Sequence, residues 1–213
     1  MGAGSCIPVA ALRLDRRALS VGILASCASP ALPSLASAAD PAGRVEMAKG
    51  RATALLDGPA RDLREDADLF LQELVQTFAG ARLALALGAD TRVNLGERTR
   101  FRIEQSVVDR GGVLLLERGA LLFDRPDSAE HGEAIVRTPF AIIAARGTRF
   151  FVGPSNGVVG VFLERGAATV RNNGGRVVLQ AGEGADLVSP DVPPTPPHPW
   201  GAARIAAALD SVT

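Results

Sequence analysis

The densest group of reactive side chains in the sequence is Asp127, Ser128 and His131, with Glu130 and Glu133 beside them. An acid, a hydroxyl and an imidazole are the ingredients of nucleophilic catalysis, in which the imidazole takes the serine proton and the carboxylate orients the ring. Triads assemble from separate elements, and these three share one polar stretch, so a solvated loop is the simpler reading. His131 and His198, the two histidines of the chain, could attract a metal ion together with Glu130 and Glu133. One loop imidazole among carboxylates falls short of the convergent ligands of a specific zinc site. Gly182-Glu183-Gly184 lacks the following helix that would set a phosphate at a helix N-terminus. No catalytic residue, no metal and no cofactor is expected, and the chain reads as non-enzymatic.

Charge offers a different chemistry. Arg98, Arg100 and Arg102 alternate with Thr99, Phe101 and Ile103, so one side of a strand would carry arginine and the other would face a core. Such a row could meet an acidic patch on a partner. The plain alternative is a solvated strand face in a chain whose only lysine is Lys49. With 23 basic and 23 acidic residues the formal net charge is zero, which argues against nucleic acid as the partner. Tyr is absent and Trp occurs once, so the aromatic platform common in sugar-binding sandwiches is missing.

The elements that hold these residues begin with an export signal. Arg13, Arg16 and Arg17 precede the short apolar run 18–26, and Ala36-Ser37-Ala38 offers the small residues a signal peptidase reads, which sets cleavage between Ala38 and Ala39. Arg16-Arg17 resembles a twin-arginine signal, and the general secretory route fits as well. Leu24-Ala25-Ser26-Cys27 resembles a lipobox, giving a rival anchor through acylation of Cys27. Without residues 1–38 the chain keeps 20 basic and 22 acidic residues and neither Cys6 nor Cys27, so no disulfide is expected. No later apolar run is long enough for a transmembrane helix.

From Val45 to Val188 the sequence alternates short apolar runs with Gly, Asn and Asp. Ala81–Leu87 has a two-residue period; Gly88-Ala89-Asp90, Asp109–Gly112, Asn156-Gly157 and Asn172–Gly175 read as hairpin turns. Leu69–Phe78 is taken as one strand. Leu116-Glu117-Arg118-Gly119-Ala120 recurs as Leu163-Glu164-Arg165-Gly166-Ala167, either a duplicated half-domain or a strand–glycine kink–strand unit used twice. Arg146-Gly147-Thr148 reads as a bulge in which the threonine hydroxyl bonds the backbone. Residues 189–199 are an extended, proline-rich linker, and Ala202–Val212 has the composition of a short helix. The fold class is all-β, a jelly-roll-like sandwich of many short antiparallel strands, with a signal at 1–38, a β domain at 45–188 and a tail at 189–213.

Three stretches resemble the FecR-type domain. They are Gln76–Val93, then Glu117–Phe123 with Thr138-Pro139-Phe140 and Arg146–Phe150, and finally Val161–Val170 with Val178–Ala185. The resemblance implies a jelly-roll-like sandwich that signals or binds. In the founding type a cytoplasmic helical segment acts on an extracytoplasmic-function sigma factor, and a membrane helix joins it to the periplasmic domain. Here only an export signal precedes the domain, so a free-standing periplasmic module is expected, with an unknown protein or cell-envelope component as partner. The alternative is a carbohydrate-binding or carbohydrate-active envelope sandwich.

Overall fold

When apolar side chains recur at every second residue, an extended backbone puts them all on one side. The computed structural model describes residues 41–105, 111–127 and 132–213. Its first half holds β1 (Pro41–Lys49), β2 (Ala52–Leu55), β3 (Arg61–Asp62), β4 (Asp68–Phe70), β5 (Leu74–Thr77), β6 (Arg82–Leu87), β7 (Thr91–Leu95) and β8 (Arg100–Gln105). The second half holds β9 (Val113–Arg118), β10 (Leu121–Asp124), β11 (Ala134–Arg137), β12 (Ile142–Ser155) and β13 (Val158–Arg171). After these come β14 (Arg176–Gln180), β15 (Glu183–Leu187), β16 (His198–Pro199) and one helix, α1 (Ala202–Asp210). In β6 the period is obeyed throughout: Leu83, Leu85 and Leu87 are buried, and the residues between them are not.

The protein is all-β. Its strands form one curled sheet in the order β3-β2-β5-β8-β9-β11-β12-β10-β7-β6-β1-β4, and β13 branches from β12 to carry β14 and β15. The expected sandwich is thus built from one continuous hydrogen-bonded sheet. Pairing is antiparallel except between β9 and β11, which run parallel and make the sheet mixed. Apolar faces from both halves meet in one core containing Val45, Leu85, Val93, Phe101, Phe123, Phe150 and Leu163.

The hairpins form where glycine and asparagine supply positive φ. Asn156 (φ 51°) and Gly157 (φ 82°) join β12 to β13, the pair of left-handed residues that a tight turn between twisted strands requires. Asn172 organises the next turn by accepting hydrogen bonds from the backbone N–H groups of Gly174 and Gly175. Leu69–Phe78, expected as one strand, is broken at Gln72 (φ 66°) into β4, which pairs with β1, and β5, which pairs with β2 and β8. Glu73 holds this corner. Its carboxylate is 2% exposed, accepts both Arg61 Nε and Nη2 at 2.9 Å, and also accepts the Phe70 N–H.

A second apolar cluster lies on the opposite face of the same strands. Ala120, Leu122, Phe151 and Phe162 would face water there but are covered by Trp200, Ala208 and Val212. The proline-rich stretch delivers that cover by lying along its own domain. Asp186 N–H donates to the Thr195 hydroxyl, Thr195 N–H donates back to the Asp186 carbonyl, and β16 pairs with β15. Trp200 enters a slot made by two glycines: a Cβ on Gly160 would lie 2.7 Å from the indole, and one on Gly184 would run into the indole Nε1. One indole face stacks on Phe162 at 5.3 Å, and the Arg204 guanidinium covers Trp200 at 3.6 Å. Arg204 is fixed in turn by the Ser155 hydroxyl and the Asp186 carboxylate.

Candidate partner-binding surface

The recurrent Leu-Glu-Arg-Gly-Ala segments prove to be halves of a larger repeat. Each pairs with a Thr-Arg-Phe segment, 99–101 at the start of β8 and 148–150 in the middle of β12. Arg100 stands opposite Arg118 and Phe101 opposite Leu116; Arg149 stands opposite Arg165 and Phe150 opposite Leu163. In both pairs the glutamate between, Glu117 or Glu164, is the extra residue of a bulge. Gly119 (φ 92°) and Gly166 (φ 87°) follow with matching backbone. Each glycine sits against a fully buried threonine. A Cβ on Gly119 would lie 2.5 Å from Thr99 Cα, and one on Gly166 would lie 2.8 Å from Thr148 Cγ2. Both glutamates then reach the arginine of the facing strand, Glu117 to Arg100 at 3.3 Å and Glu164 to Arg149 at 2.8 Å.

The repeat distributes its charges unequally. Arg149 bridges Glu164 and Asp124, and Arg165 reaches the other oxygen of Asp124, both at 2.8 Å. Burial works to lower the Arg149 pKa, but hydrogen bonds to Asp124 and Glu164 prevail and raise it above its ordinary value. Arg125, 2% exposed, moves the other way: burial lowers its pKa, and the nearby Asp90 carboxylate opposes the shift. In the first copy Arg100 and Arg102 share Glu117, the second at 3.9 Å. Among the described residues, neither Arg118 nor Arg98 has a side-chain ion pair or hydrogen bond.

These two uncommitted guanidiniums border one hollow. Glu97, Arg98, Arg118, Gly119, Pro154 and Ser211 line a cavity of about 350 Å³. Beside it a second cavity of about 220 Å³ runs over Pro154, Phe140 and Val159. A third, of about 470 Å³, continues from the same three residues to Leu187 and Val188. The result is a row of hollows meeting at Pro154, cationic at one end and apolar at the other. Its two carboxylates are already engaged: Glu97 accepts the Gly80 N–H at 2.6 Å, and Glu117 holds Arg100 and Arg102.

The sequence profile of the family described as FecR protein matches residues 73–181, about half the chain. The chain belongs to the FecR family. No curated protein matches it significantly. Two crystal structures of a candidate anti-sigma factor from Parabacteroides distasonis share its fold, each with a TM-score of 0.53 and 18% identity over 64% of this chain. The match spans 64% of one of those chains and 63% of the other, short of two thirds of their length. The FecR match includes both copies of the repeat and stops before the tail that carries Trp200.

Other residues singled out from the sequence are scattered. Arg98 (φ 52°) lies in the turn before β8 instead of on the strand, and Arg100 and Arg102 project from β8 half-exposed. Asp127 is exposed beside Arg146, and His198 Nδ1 contacts the Pro196 carbonyl. Ser128, Glu130, His131, Cys6, Cys27 and the Ala38–Ala39 junction lie outside the described residues. Among the described residues no cluster of three His, Cys, Asp or Glu could hold a metal, and no helix is long and apolar enough to cross a membrane. Gly147 (φ 60°) occupies a bulge as expected, but the Thr148 hydroxyl has no hydrogen-bond partner among the described residues; the Thr148 carbonyl accepts the Arg125 N–H. Sequence reasoning missed Arg118 as a surface group, although its place in the recurrent Leu-Glu-Arg-Gly-Ala segment was visible.

Proposed function

We propose that this FecR-family chain is a non-enzymatic binding and signalling module that works in the periplasm by holding a protein or cell-envelope partner. The carrying observation is the pair of uncommitted guanidiniums, Arg98 and Arg118, beside an apolar groove. Charges left unpaired next to concave apolar surface favour recognition over structural support. Arg100 and Arg102 extend the same face as a second line, their charge already shared with Glu117. Enclosure of the single Trp within the second cluster further supports a protein partner over a glycan. The proposed organisation is a signal at 1–38, a working domain at 45–188 and a docked tail at 189–213.

Affinity capture with the exported chain from envelope extract tests this reading. The expected result is a protein that rebinds the purified chain with one-to-one stoichiometry. Recovery of glycan without a protein partner overturns it. The export proposal has its own test in the intact mass of the exported protein, expected to begin at Ala39. A mass beginning at an acylated Cys27, abolished by Cys27→Ala, replaces the soluble form with a lipid-anchored one.

A further inference from the structure

We infer that the groove centred on Pro154 docks an extended segment of a partner protein in which a carboxylate is followed by apolar side chains. This rests on the binding-module reading and adds the chemistry of the partner. Three observations fix that chemistry. At one end Arg98 and Arg118 border the same cavity, and neither is neutralised by a described residue. A guanidinium pair takes a carboxylate through charge-assisted hydrogen bonds, the strongest polar contact such a rim can offer. In the middle, Pro154 is shared by all three hollows, and proline has no backbone N–H to satisfy, so its surface asks for apolar cover.

At the far end Val188 is 60% exposed, the most exposed large apolar side chain among the described residues. It borders the largest of the three hollows together with Leu187. The gradient from cationic to apolar selects among ligands. A small anion would leave the apolar hollows unused, and a polyanion would need basic groups along the whole groove. A peptide chain in extended form projects side chains at about 3.3 Å per residue and can fill successive hollows while placing its acid between the two arginines. Of the local acids, Glu117 is neutralised by Arg100 and Arg102, while Glu97 is tied through one oxygen to the Gly80 N–H and keeps its charge. Two guanidiniums against one carboxylate leave a net positive rim for the partner's acid.

Panning a random heptapeptide library against the purified full chain reads this preference directly. The expected enrichment is for Asp or Glu followed within four positions by two apolar residues. Those peptides should bind the Arg98→Glu/Arg118→Glu double variant at least tenfold more weakly, the loss of about one charge-assisted contact. Arg176→Glu, which reverses an exposed charge on β14, should leave them unaffected. Val188→Asp should weaken them while keeping the acidic preference. Both arginines are exposed, so the double variant should melt with the parent chain, which separates binding from folding. Failure to enrich any peptide, enrichment without an acidic preference, or equal binding to the double variant overturns the inference. If envelope capture still returns a protein partner that ignores the double variant, the inference fails and the module reading stands. If capture returns only glycan, the module reading fails as well.

Discussion

The two Thr-Arg-Phe units share a backbone device and use it for different ends. In the first, the Thr99 hydroxyl accepts the Ala120 N–H at 3.2 Å and lies 3.3 Å from the Ala120 and Glu97 carbonyls. In the second, the equivalent Thr148 hydroxyl is buried without a partner among the described residues. The arginine after each glutamate diverges too: Arg165 joins the Asp124–Arg149–Glu164 network, whereas Arg118 is left to face a cavity. A bulge, a left-handed glycine and a threonine beneath it therefore make up the reusable part. What surrounds them decides whether the charges support the fold or remain available to a partner.

The device itself should be equally indispensable in both copies. Gly119→Val and Gly166→Val each force a β-branched residue into positive φ and drive its Cβ into a neighbour, Thr99 in one case and the Gly147 carbonyl in the other. Each is expected to cost about 3 kcal/mol or more. Gly147→Val, whose Cβ would meet Asp127 Cβ at 2.5 Å, belongs to the same class. Thermal and urea melts of the three check this, and a variant that melts with the parent chain would break the equivalence of the copies.

The hydroxyls should separate them. Thr99→Val strands the Ala120 N–H and is expected to cost about 1–3 kcal/mol. Thr148→Val removes a buried, unbonded hydroxyl while keeping the shape, so stability should hold or rise by up to about 1 kcal/mol. Denaturant titration of the pair decides it; equal losses would mean that the second hydroxyl has a partner. Smallest of all is the contrast between arginines. Arg165→Ala should cost up to about 1 kcal/mol, partly screened because the side chain is half-exposed, and added salt should shrink that difference. Arg118→Ala should change stability by less than about 0.5 kcal/mol, leaving its effect to appear in binding alone.

Much of this architecture was legible because its signals are local. Asn156-Gly157 and Asn172–Gly175 specify their turns within a few residues, and the leucines of β6 announce the buried face. The corner at Gln72 was not legible, because apolar residues flank the polar pair Gln72-Glu73 on both sides and the acid that holds the corner draws its main partner from Arg61. The repeat was half visible. Its glutamate-arginine-glycine segment is contiguous, but the facing Thr-Arg-Phe strand is joined to it only by long-range pairing and a bulge. For the same reason sequence could group Arg98, Arg100 and Arg102 but could not tell which cations were neutralised. That distinction depends on Glu117 crossing from β9, and the groove on Phe140, Pro154 and Val188 arriving from three separate segments.

The glycine slot that receives Trp200 also gives the protein a built-in optical reporter. With no tyrosine and one tryptophan in the chain, its intrinsic emission above 300 nm comes from a single indole. That indole, 6% exposed, sits between an aromatic ring and a guanidinium at the point where the tail meets the sheet. Detachment of the tail would carry it from an apolar slot into water, moving its emission to the red before the strands themselves come apart. The docking of residues 198–213 can therefore be followed in the unmodified protein, without a label and independently of the circular dichroism of the sheet.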